Sequence, residues 1–150
     1  MLSRRTFLTA LTCSAMAPMA QAQAQPLFYA ASGAAVSGYD AVSYFRTSGP
    51  VPGRPEIALM WKGATWRFAS EENRNRFESN PRAFAPQYGG YCAYAMAKNK
   101  LLSSDPQAWR IVDGHLYLTH SRKIELIWQQ NVGKYIRQAD KNWPDILYQS

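Results

Sequence analysis

The pair Asp113-Gly114, set between the apolar and aromatic runs 109–112 and 115–118, constrains this chain most strongly. A two-residue connection between strands needs positive φ at both positions. Glycine adopts that conformation freely and aspartate tolerates it, so the segment predicts an antiparallel hairpin. A second hairpin is expected from residues 57–61 and 65–68, with Lys62, Gly63 and Ala64 making the turn. Gly49-Pro50-Val51-Pro52-Gly53 is a loop by composition.

Helix signals fill the remaining sequence. Ser70 can cap a helix whose first turn holds Glu71 and Glu72, where acidic groups favour the helix dipole. That helix is expected to end at Asn80-Pro81, because the residue before a proline is pushed out of helical geometry. A short helical piece carries Ala83, Phe84 and Ala85. In residues 88–98, Tyr88, Cys92 and Met96 fall four apart and would share one helical face. Gly89 and Gly90 weaken this helix and suit a place where another backbone passes close. Ser121 starts a long amphipathic stretch in which Ile124, Ile127, Trp128, Val132, Tyr135, Ile136 and Ala139 follow the helical period, closed by Trp143-Pro144. The expected fold is α+β: a small antiparallel sheet packed with helices, with a long amphipathic C-terminal helix.

The first 24 residues have a different character. Ser3-Arg4-Arg5-Thr6-Phe7-Leu8 is followed by a mildly apolar run and then by small residues, the layout of an export leader. An arginine pair one residue ahead of Phe-Leu fits the twin-arginine route better than an ordinary secretory signal. Ala20-Gln21-Ala22 and Ala22-Gln23-Ala24 both satisfy the small-x-small cleavage rule. The mature chain, about 126 residues, then has the length of one domain, with a periplasmic location expected. Residues 25–37 read as a flexible lead-in and residues 38–147 as the folded unit. No second stretch has the length of a membrane span, so a soluble mature protein is expected.

The formal net charge is +7, and Arg4 and Arg5 contribute two of it. The remaining basic residues are scattered rather than clustered, which argues against nucleic acid as a partner. Of two cysteines, Cys13 lies in the leader, so Cys92 has no partner for an intrachain disulfide.

The segment TWRFASEENRNRFESNPRAFAPQYGGYCAYA resembles the YHS domain, in the longer form found in exported bacterial proteins. The shared frame is Trp66, Phe68, Ser70, Phe77, Asn80, Pro81 and Phe84. GYDAVSYF, VDGHLYL and the closing NWP also resemble that form, and the likeness extends over roughly residues 36–147, one domain's length. It implies a fold more than an activity. Short YHS domains occur beside metal-transport ATPases and oxygenases, and the resemblance implies metal handling. Two family cysteines are replaced here: Ser43 stands in the Asp40-Ala41-Val42-Ser43 segment and Ala69 in Phe68-Ala69-Ser70. Neither replacement offers the thiolate that would hold a soft metal.

The soft or imidazole ligands left are Cys92, Met96, His115 and His120. Cys92 and Met96, one helical turn apart, could present two sulfurs to copper(I), or could simply pack in a core. His115 and His120 would point to opposite faces of one continuous strand, unless His120 lies beyond its end. Turn chemistry accounts for Asp105 and Asp113, whereas Asp40, held between aromatics, stays open. No phosphate-binding glycine loop, nucleophile elbow or HExxH motif is present. The leading expectation is a non-catalytic periplasmic binding or accessory module for a transition metal, copper first. A metal-free module for a protein or small ligand is the alternative, and an enzyme using Cys92 as a thiol or redox centre stands third.

Overall fold

The computed structural model describes residues 23–46 and 49–149. The expected leader, residues 1–24, lies outside them except for its last two positions. Elements in chain order are α1 (Ser43–Arg46), β1 (Arg54–Trp61), β2 (Ala64–Phe68), α2 (Glu71–Ser79), α3 (Pro81–Phe84), α4 (Ala93–Ala97), β3 (Asp105–Val112), β4 (His115–Thr119), α5 (Arg122–Gln129) and α6 (Val132–Asn142). The fold is α+β. Its strands form two separate antiparallel pairs, β1 with β2 and β3 with β4, rather than one sheet. The Asp113-Gly114 turn has the expected geometry, at φ 50° and 77°; the other turn is shorter than expected, with Lys62 and Gly63 at 47° and 76° and Ala64 already paired with Trp61 in β2. Each longer strand extends upstream of the expected run through a break in register, between Arg54 and Ala58 in β1 and between Asp105 and Trp109 in β3.

The β3–β4 hairpin divides two apolar clusters, and the alternation of β4 explains how. Leu116 and Leu118 face a cluster that includes Val42, Trp66, Phe68 and Phe77, while Tyr117 joins Met96, Trp128 and Ala139 on the other side. The first cluster is built on aromatic edges: Trp66 lies 4.7 Å from Phe77 and 4.9 Å from Phe28 between ring centroids.

Helix limits follow local chemistry. Ser70 and Ser121 accept the backbone N–H of Asn73 and Ile124, capping α2 and α5. The long amphipathic stretch is present in two pieces, α5 and α6, separated at Gln130 and Asn131. Asn131 leaves helical geometry (φ −154°, ψ 61°) at the N-cap position of α6, where its carbonyl accepts the Tyr135 N–H and its side chain makes no cap bond. The break lets α5 lie on β3 and β4 while α6 lies on α4.

Two further expectations are corrected. Helix α4 starts after Cys92, not at Tyr88, because Tyr88, Gly89 and Gly90 all take positive φ in a tight turn. This is where another backbone passes: Gly89 accepts the N–H of Tyr29 at 2.9 Å, and a Cβ on Gly89 would stand 1.9 Å from the Leu27 carbonyl oxygen. Residues 25–37, read as a loose lead-in, are packed. Phe28, Ala34, Ala35 and Val36 are buried, and Gln25 N–H reaches the Leu147 carbonyl. Ala34 and Ala35 are small enough to fit in the packed interior, whereas Ala31, Ser32 and Gly33 remain exposed.

Asp40 is completely buried and anchors the GYDAVSYF segment. Its Oδ1 accepts Val42 N–H at 2.9 Å, and Oδ2 accepts Ala69 N–H at 2.9 Å and Asn73 Nδ2 at 2.7 Å. The carboxylate therefore ties α1 to the end of β2 and the start of α2.

Candidate functional site

Cys92 stands at the N-cap of α4, and its Sγ accepts the Ala95 N–H at 3.4 Å. The backbone N–H groups of His120 and Tyr94 also turn toward it, which favours the thiolate, but burial dominates and pushes the thiol above its ordinary value. Asn99, at φ 54°, ends the same helix one turn later, so α4 is a short rigid step between the tight turn and the return to β3. The Cys92 N–H is held by the Leu102 carbonyl at 3.1 Å.

A cavity of about 320 Å³ opens beside this thiol, lined by Cys92, Tyr94, Ala95, Lys98, Lys100, Leu102, His120 and Ile124. Its surface is mainly apolar, with two ammonium groups. Lys98 is fixed between two rings, 5.6 Å from the Tyr94 centroid and 5.5 Å from that of Tyr135.

His120 lies past the end of β4, which frees it from the facing rule of the strand. Its Nδ1 is 3.1 Å from the Ser103 carbonyl and 3.0 Å from Ser103 Oγ. A carbonyl can only accept, so the contact with it is made by the tautomer that carries its proton on Nδ1, and in that tautomer Nε2 is the acceptor nitrogen. A histidine that ligates a metal is commonly held in this way.

The structure thus brings two of the four sequence candidates together, Cys92 and His120. Met96 is fully buried in the cluster with Tyr117 and Trp128 and does not line this cavity. His115 sits at the opposite end of β4, about 16 Å from His120 by strand rise, beside Gln87. Among the described residues, no group of three or more His, Cys, Asp or Glu side chains stands together.

Compared with known proteins, the chain matches no family model, no curated protein and no solved structure.

Lys98, Lys100 and Leu102 were missed as cavity residues by sequence reasoning, and Ile124 was read only as core. Local spacing carries no signal for them, because the cavity forms where the segment after α4 returns past His120. Glu125 was missed as well. It is fully buried in α5 and takes Arg110 Nε at 2.6 Å and Arg122 Nη1 at 2.5 Å. The Arg122–Glu125 spacing of three, which places both on one helix face, is a local hint of that pair.

Proposed function

We propose that this protein is a periplasmic, non-catalytic accessory module of the YHS type that binds copper(I) through Cys92 and His120. The observation that carries the reading is the shared cavity: a buried thiol and an imidazole whose Nε2 is left free line one space. A closed zinc site wants four ligands. The lining of this cavity offers one sulfur and one imidazole nitrogen, a donor set that suits copper(I), which accepts linear two-ligand coordination and favours sulfur. Cys92 would bind as thiolate, His120 would complete the pair, and Ser103 would hold the ring in its ligating tautomer. Burial disfavours a free thiolate at neutral pH, which supports a ligand role over a thiol nucleophile.

The test is anaerobic titration of the mature chain with copper(I) against a competing chelator. One equivalent is expected in the native protein. Cys92→Ala should abolish competition and His120→Ala should weaken it, while Met96→Leu and His115→Ala should leave it intact. Equal binding by native protein and Cys92→Ala would refute the reading.

Lys98 and Lys100 favour a second reading, a metal-free module that takes a small acidic ligand with an apolar body. It expects no copper competition and a ligand affinity lowered by Lys98→Gln rather than by His120→Ala.

A further inference from the structure

A second cavity, of about 500 Å³, is lined by Tyr44, Trp109, Arg110, Ile111 and Arg122. We infer that it binds a small oxyanion, a carboxylate or a phosphate, through Arg110 and Arg122. This site is independent of the Cys92 cavity and shares no lining residue with it.

The strand supplies the geometry. Along β3, Trp109 and Ile111 turn toward the first apolar cluster, and Arg110 between them turns toward α5. There it meets Glu125, which also takes Arg122 and accepts Gln129 Nε2. One carboxylate therefore faces two guanidinium groups and leaves one positive charge uncompensated. The charge stays accessible: the Arg110 and Arg122 side chains are 44% and 63% exposed, whereas Glu125 is 0% exposed.

The donors left over have the right form. Glu125 uses Nε of Arg110 and Nη1 of Arg122. Both Nη groups of Arg110, and Nε and Nη2 of Arg122, make no hydrogen bond among the described residues. Guanidinium forks pair with carboxylate and phosphate oxygens through parallel N–H groups. Glu125 fixes both forks in advance, which lowers the ordering cost of binding. No carboxylate lines the cavity to compete. Besides Glu125, Asp105 acts on this region: its charge adds to the burial that raises the Tyr44 hydroxyl, and that hydroxyl is already spent on the Pro106 carbonyl at 2.9 Å. The Trp109 ring stands edge-on to Tyr44, with centroids 5.4 Å apart, and forms an aromatic wall for the body of the ligand.

The experiment is an NMR titration of the full chain with inorganic phosphate and, separately, benzoate, following arginine Nε and tryptophan indole signals. Saturable shifts with a Kd of about 10 mM or tighter are expected for at least one probe. Arg122→Gln should weaken binding at least about tenfold, the loss expected when one charged fork is removed. Arg54→Gln is the control, because Arg54 is equally exposed but matched one to one by Glu56 at 2.6 Å. Stronger phosphate binding identifies a phosphate ester as the ligand class, and stronger benzoate binding an aromatic carboxylate held on Trp109. Lack of saturation with both probes, or equal weakening by Arg54→Gln and Arg122→Gln, would overturn the inference. Unchanged amide spectra in the free variants establish that each loss is not unfolding.

Discussion

Replacing Asp40 by asparagine tests the central structural claim with almost no change of shape. Asp40 is wholly buried, and its two oxygens accept three N–H donors. Asparagine keeps one oxygen, which can still serve Val42 N–H. Its amide nitrogen must then face the Ala69 N–H and the Asn73 Nδ2, a donor against two donors. Hydrogen bonds to a charged acceptor contribute about 1.5–3 kcal/mol each, and an unpaired buried donor costs about 1–3 kcal/mol. Two such losses, partly relieved by relaxation, give an expected destabilisation of about 3–4 kcal/mol. Urea unfolding would read this as a midpoint lowered by roughly 1.5–2 M, for a slope near 2 kcal/mol per M. The double variant Asp40→Asn with Asn73→Asp returns an acceptor to one of the two orphaned contacts and should recover about 1 kcal/mol. A loss below about 0.5 kcal/mol for Asp40→Asn would refute the argument, since that is the ordinary range for a surface change.

Further outcomes are expected. Gly89→Ala should destabilise the fold by more than about 2 kcal/mol, because its Cβ meets the Leu27 carbonyl at 1.9 Å. Gly63→Ala, also at positive φ but with nothing within 4 Å, should cost only about 1 kcal/mol by thermal melting. Stability should fall with rising alkalinity: burial raises Cys92 above its ordinary 9.0, and Tyr91 and Tyr117 above 10.0. The folded chain therefore holds protons that the unfolded chain releases, so urea midpoints should be level below pH 8 and drop from about pH 9 upward, with a shallower onset in Cys92→Ala. Copper(I) affinity should rise about tenfold per unit between pH 7 and 8 under the proposed site, because an ordinary imidazole is already mostly neutral there and binding displaces one proton, that of the thiol; a pH-independent affinity would remove Cys92 as thiolate ligand. Ser70→Ala and Ser121→Ala should each lower stability by about 1 kcal/mol, measured by chemical denaturation, through loss of one helix cap.

The sequence by itself determined the local decisions. Asp113-Gly114 and Lys62-Gly63 specified two hairpins, because φ and turn preference belong to the residues themselves. Ser70, Ser121 and Asn80-Pro81 marked helix ends for the same reason. Tertiary structure decided everything that needed distant segments to meet. The helix spacing of Tyr88, Cys92 and Met96 was overruled by a turn whose glycines accommodate the backbone of residues 27–29. The lead-in became part of the core because Phe28 found Trp66, a contact spanning nearly forty positions of chain. The shared cavity of Cys92 and His120, and the meeting of Arg110 with Arg122 through Glu125, likewise come from elements crossing in space. A spacing rule describes one helix or strand, whereas a site is made where several of them converge, and burial energy sets that convergence.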